Sequence, residues 1–131
     1  MKEPLFLTLA EVIEIHKDQI GLYGGSFGTR DIHLLESAVA QPQASFGGEW
    51  AHRDLYEMAA AYAFHIAQNH AFIDGNKRAA LASTLVFLEI KEIHLTDPKG
   101  HLKNAMLFMA SGKTNKQEFT ALLHKLPKLK A

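Results

Sequence analysis

Residues able to do chemistry gather in one stretch of the chain, His70-Ala71-Phe72-Ile73-Asp74-Gly75-Asn76-Lys77-Arg78. A histidine ordinarily changes charge near neutral pH, which suits His70 to take a proton from a hydroxyl. Asp74 offers a hard oxygen ligand of the kind Mg²⁺ uses when it keeps its waters and bridges phosphates. Gly75 lets the backbone turn through positive φ and approach a ligand closely. Lys77 and Arg78 fall in the first turn of the helix that follows. Cations there oppose the helix dipole, at about 0.3–1 kcal/mol each when exposed, unless an anion lies among them. A polyphosphate supplies that anion, with Arg as a bidentate clamp and Lys as a point charge. Base, metal ligand, backbone nest and two cations are the parts needed for transfer from a nucleotide phosphate. Singly, each residue has a plainer reading. Asn76 alone reads as a helix cap, Phe72 as a core plug, and Lys77 and Arg78 as solvated cations.

The elements that must position this segment read as helices. Thr8-Leu9-Ala10-Glu11 is a capping box, followed by Leu9, Val12, Ile13, His16 and Ile20 at helical spacing, with Gly21 as a stop. Tyr23 to Gly28 is a glycine-rich loop. A second helix is predicted from Arg30 to Ala40 behind Thr29 as cap, ended by Pro42. Residues 41–51 lack helical period and read as an exposed flap. A third helix is predicted over Asp54–Asn69, with His65 as a core histidine. The next, Asn76–Ile90, is apolar almost all round and reads as the central helix. Asp97-Pro98 predicts a cap with proline at the first helical position. Thr114-Asn115-Lys116-Gln117 predicts another capping box. Residues 91–96 allow a short strand, and Lys125, Lys128 and Lys130 read as a solvated tail.

The 131 residues suit a single domain, 1–131. With 14 basic and 14 acidic residues there is no charge excess to neutralise many phosphates, which argues against direct nucleic-acid binding and a polybasic membrane anchor. The absence of Cys excludes disulfides, thiol nucleophiles and Cys-ligated metals. None of the eight His lies three or four residues from another, so no helix face presents a zinc pair. No apolar run reaches a membrane span. Met1-Lys2-Glu3-Pro4 does not read as a signal peptide, so the expected location is the cytoplasm.

The segment from His70 to Arg78 resembles the signature H-x-F-x-[D/E]-G-N-x-R of the Fic/Doc family, and is most similar to its Doc (death-on-curing) toxin branch. Tyr23-Gly24-Gly25 with Gly28, Arg30-Asp31, Leu34-Leu35-Glu36-Ser37-Ala38, and Ala79-Ala80-Leu81 leading into Leu85-Val86-Phe87-Leu88 extend the likeness over most of the chain. The resemblance implies an all-α fold, a compact Fic-like bundle of about six helices around a buried central helix, with a short extended flap where a protein target docks by strand addition. It implies ATP with Mg²⁺ as phosphate donor. By position, His70 becomes the general base, Asp74 the metal-associated acid, Gly75 and Asn76 the anion nest, Lys77 and Arg78 the phosphate clamps, and Phe72 a buried plug.

Three departures refine what the resemblance implies. Lys77 stands where AMP-transferring relatives usually have Gly, a Doc-branch choice associated with an inverted nucleotide and transfer of γ-phosphate. Leu81 stands where many relatives carry a second Arg. Ala71 replaces a common Pro, which predicts a looser loop. The family likeness also implies a target, a threonine of elongation factor Tu, with arrest of translation. Self-restraining relatives carry [S/T]-x-x-x-E-[G/N]. The nearest match, Thr114 to Phe119, lacks the last residue, so the expected restraint is an antitoxin protein acting in trans. AMP transfer by the same fold and a catalytically degenerate binding module are the alternatives.

Overall fold

In the computed structural model, which describes residues 6–129, the chain forms six α-helices and one small hairpin. The reading of Met1 to Pro4 and that of Lys130 lie outside the described residues. Helix α1 (Leu9–Tyr23) starts at the expected capping box. Thr8 Oγ1 accepts from Glu11 N–H at 3.1 Å and Glu11 accepts from Thr8 N–H at 2.9 Å. The helix runs through Gly21 and ends at Gly24, where the backbone turns to φ +86°. A glycine can continue a helix at modest cost, and it is at Gly24 that the chain must turn.

Helix α2 (Ile32–Ala40) begins two residues later than predicted. Asp31 caps it, accepting from His33 and Leu34 N–H at 3.0 and 3.1 Å. Thr29 is unavailable as cap because it pairs in extended form with Phe72. A single 3₁₀ turn (Gln41–Gln43) holds Pro42 and leads into the flap, a hairpin of β1 (Ser45–Phe46) and β2 (Glu49–Trp50). Ser45 lies opposite Trp50 and Phe46 opposite Glu49. Gly47 and Gly48 both adopt positive φ, as the tightest hairpin turns require. Trp50 packs edge-on against Phe6 at 5.1 Å, which pins the hairpin's base, while Phe46 at its tip is 77% exposed.

Helix α3 (Leu55–Asn69), capped by Asp54, is the central helix; it packs against α2, α4 (Asn76–Ile90), α5 (His101–Ala110) and α6 (Lys116–Lys125). The expectation that 76–90 is the most enclosed helix is therefore corrected. Ala59, Ala60, Ala61, Ala63 and Ala67 are all buried on α3, and small side chains let neighbouring helices approach closely. Tyr62, fully buried, accepts the N–H of Leu7 at 2.9 Å on its hydroxyl, and burial pushes that hydroxyl up to about 12. Helix α4 buries Ala79, Ala80, Phe87 and Leu88, but its Leu81 and Leu85 are half-buried and line an open cavity. That cavity wall is why the helix shows no polar face.

Two further caps differ from expectation. The Asp97 carboxylate accepts from His101 and Leu102 N–H at 2.9 and 2.8 Å from a turn upstream of α5, so Pro98 is not its first residue. Asn115 caps α6, not Thr114. Residues 91–96 contribute only an isolated bridge, Leu95 to Lys128, and Lys128 lies over the Tyr56 ring at 5.3 Å, so the lysine tail is partly tied down. Among the described residues no helix is long and apolar enough to cross a membrane.

Candidate active site

The loop between α3 and α4 carries the predicted residues, and α1 with the stretch after it, residues 16–31, holds it. His70 ends α3 in the left-handed conformation, φ +50° and ψ +43°. A side chain other than Gly or Asn is uncommon there. The Arg30 guanidinium stabilises the turn by donating from both Nε, at 3.0 Å, and a terminal nitrogen to the His70 carbonyl. The backbone N–H groups of Arg30 and Asp31 donate to the Ala71 carbonyl at 2.7 and 3.0 Å, and Ile73 N–H donates to Gly28 at 3.0 Å. The predicted looseness at Ala71 is thus corrected: backbone bonding replaces the rigidity a Pro gives. The His70 side chain is exposed.

Phe72 is fully buried, as expected of a plug. Asn76 closes the loop upon it. Phe72 N–H donates to Asn76 Oδ1 at 3.0 Å, and Asn76 Nδ2 donates to the Phe72 carbonyl at 3.1 Å. Asn76 is accordingly the first residue of α4 and a loop clasp; the N-cap is Gly75, left-handed at φ +73°. No side chain accepts from the N–H groups of Asn76, Lys77 or Arg78 among the described residues, whereas each of the other five α-helices has a side chain bonded at its start. Unpaired N–H groups at a helix start carry partial positive charge and favour an anion.

Asp74 is exposed, and its oxygens accept from Ser26 N–H at 3.2 Å and Gly75 N–H at 2.8 Å. Those two backbone donors, with Arg78 adding attraction, hold the carboxyl below the usual carboxylate range. Among the described residues no group of three or more His, Cys, Asp or Glu gathers as an all-protein metal site. A single exposed, ionised carboxylate fits a Mg²⁺ ion whose other ligands are water and phosphate.

The two cations part company. Lys77 is exposed and makes no ion pair among the described residues. Arg78 is half-buried and donates to the carbonyls of Gly24, at 2.8 Å, and Gln19, at 3.4 Å. It stands at the wrong end of α4 but at the favourable end of α1, whose last turn has no cation of its own. Beside both opens a cavity of about 540 Å³ between α1, α4 and α5, walled by Leu81, Leu85, Met106 and Leu107.

Sequence reasoning missed two groups that contact the loop. Ser26 reads as an ordinary loop residue, and its backbone contact has no signal in side-chain type. His16 reads as one position in an apolar stripe, yet its ring stacks on Phe72 at 3.8 Å with planes 2° apart, and its Nε2 donates to the Asp74 carbonyl at 2.7 Å. A histidine on an otherwise apolar helix face was the available sign.

Comparison with known proteins shows what the chain is similar to. The chain is 45% identical over 73 residues to Toxin Doc of Mycolicibacterium smegmatis, a match covering 56% of this chain and 56% of that protein. It therefore spans little more than half the length of that relative. It is 37% identical over 87 residues to Protein kinase doc of Escherichia phage P1, covering 66% of this chain and 68% of that protein. Residues 6–88, from the start of the described chain into the last turn of α4 and including the whole loop, match the family described as Fic/DOC family; the chain belongs to that family.

Proposed function

We propose that this protein is the toxin of a Doc-type toxin–antitoxin pair, and that it transfers the γ-phosphate of ATP to a Ser or Thr hydroxyl of a protein target. The observation that carries the reading is the start of α4: unpaired N–H groups, Lys77 and Arg78 in the first turn, and His70 held at the preceding bend. In this reading residues 1–131 form one Fic/Doc domain acting in the cytoplasm. The name of the phage relative, Protein kinase doc, supports phosphate transfer over AMP transfer. The target proposed from the family likeness is a threonine of elongation factor Tu, whose modification arrests translation.

His70 takes the hydroxyl proton as the oxygen attacks the γ-phosphorus. The bond to the bridging oxygen breaks and ADP leaves. The N–H groups of the nest, with Gly75 and Asn76 setting the backbone, hold the phosphates. Lys77 places a mobile charge against the γ-phosphate, where charge concentrates in a loose transition state. Arg78, its guanidinium anchored on the Gln19 and Gly24 carbonyls, adds a fixed positive charge beside the phosphates. Mg²⁺, with Asp74 as its protein ligand, would neutralise phosphate charge.

The proposed partner in trans is an antitoxin. The cavity between α1, α4 and α5 suits an amphipathic segment with acidic residues, because its apolar wall is bordered by Lys77, Arg78 and Lys103. A segment seated there covers Lys77 and so obstructs the anion site.

Incubation with ATP labelled separately at the α and γ positions, in a translation extract, tests the chemistry. The expected result is γ-label and a phosphate adduct by mass spectrometry. An α-label or an AMP adduct assigns AMP transfer, and no label with intact nucleotide binding assigns a binding module. His70→Ala lowers transfer by about 10²–10⁴ in rate with the fold retained, and Lys77→Gly removes most γ-transfer.

A further inference from the structure

His16 is a histidine that the proposed chemistry leaves idle, and it occupies an expensive position. Its ring is fully buried, and Nδ1 has no hydrogen-bond partner. A phenylalanine fills similar space, stacks on Phe72 equally well and brings no orphaned polar atom into the core. Packing alone therefore does not favour histidine. What the imidazole supplies and phenylalanine lacks is the Nε2–H aimed at the Asp74 carbonyl, 2.7 Å away and 58 residues distant in sequence. Because a carbonyl only accepts, that contact places the ring proton on Nε2.

The carbonyl belongs to the Asp74–Gly75 peptide, whose N–H donates to the Asp74 carboxylate at 2.8 Å. In a trans peptide the C=O and N–H point in opposite directions. A flip of this unit sets the carbonyl oxygen against the carboxylate and withdraws the N–H that steadies it. Glycine tolerates φ of either sign, so Gly75 itself offers little resistance to such a flip. We propose that His16 is a positioning residue that locks the Asp74–Gly75 peptide in the orientation the anion site requires. The proposal rests on the phosphate-transfer reading and names what holds that site's backbone.

The full-length chain is compared with His16→Phe, His16→Gln and His16→Asn. Gln can present its amide N–H₂ near the Nε2 position, whereas Asn reaches only the Nδ1 position. His16→Phe is expected to keep or raise the thermal midpoint while lowering γ-label transfer by about 10²-fold, the scale of a misplaced site. His16→Gln is expected to recover most of the transfer and His16→Asn little. Wild-type transfer in His16→Phe, or equal losses in His16→Gln and His16→Asn, overturns the proposal; the latter pair decides alone if His16→Phe does not fold. If the wild-type protein transfers no label, the phosphate-transfer reading fails by itself, and NMR decides the positioning claim. The expected signals are an Nε2-protonated His16 and, in His16→Gln relative to His16→Asn, a lower Asp74 carboxyl midpoint and slower Gly75 amide exchange. An Nδ1-protonated ring, or no difference between the variants, overturns it.

Discussion

Arg30 and His70 stand 40 residues apart in sequence, and the guanidinium of one grips the backbone carbonyl of the other. The contact lies at the one bend where α3 must stop and the loop begin. It stabilises a left-handed histidine where glycine is the cheaper choice, and so keeps an imidazole at that place. Arg30→Ala is expected to cost about 1 kcal/mol, low for a charged hydrogen bond because the pair is exposed. Arg30→Lys, which loses the fork geometry, recovers only part. Urea unfolding checks the stability, and label transfer checks the alignment of His70.

The Asn76 clasp on Phe72 makes both of its bonds with a single side chain. Asn76→Asp retains the acceptor for Phe72 N–H but sets a charged oxygen against the Phe72 carbonyl. The expected cost is about 1–3 kcal/mol, the scale of an unsatisfied group, with loss of the anion site. Thermal unfolding and binding of an ATP analogue check the two effects separately.

A Cβ at Gly25 would lie 2.7 Å from Asp74 Oδ2, at a φ of +116° that alanine rarely adopts. Gly25→Ala is expected to lose about 1–3 kcal/mol through backbone strain and to lift the 24–28 loop from Asp74. Losing the Ser26 N–H, the Asp74 carboxyl rises toward its ordinary 3.8. The native carboxyl titrates below that value, so the stabilisation it gives is present above 3.8 and is lost as pH falls through the native midpoint. A ¹³C titration of the Asp74 carboxyl in both proteins measures the change.

Burial and the neighbouring Lys116 ammonium push His65 down to about 4 from an ordinary 6.5. The unfolded chain then takes up this proton first on acidification. Stability is full above 6.5 and declines as pH falls through the window to about 4. His65→Leu is expected to flatten the urea midpoint across that window, beyond any constant offset from repacking.

The loop was legible in the sequence because its candidate residues are consecutive, between the ends of two helices. The sequence carried helix existence well because apolar spacing repeats along each helix. It carried helix starts less well: Asp31 and Asn115 cap where Thr29 and Thr114 were expected, Thr29 being paired with Phe72, and the expected Asp97 reaches across a turn to a helix that starts only at His101. The central helix was misjudged because Leu81 and Leu85 line a cavity instead of a core, and composition does not separate these two fates. His16, Ser26 and Arg30 meet the loop only through the fold, so no local pattern records their contacts.

The side-chain and backbone bonds that shape the loop come from residues 16 to 78, and none comes from α5 or α6 among the described residues. The match to the family ends at nearly the same boundary, Leu88. Helix α5 nevertheless supplies Lys103, Met106 and Leu107 to the cavity beside Lys77. Under the proposed function, α5 therefore borders the partner cavity, together with α1 and α4, without supplying a residue to the reaction centre. On that reading, substitutions in α5 alter one wall of the inhibitor's seat while the residues of the reaction centre stay unchanged, so pairing can shift without passing through an inert intermediate.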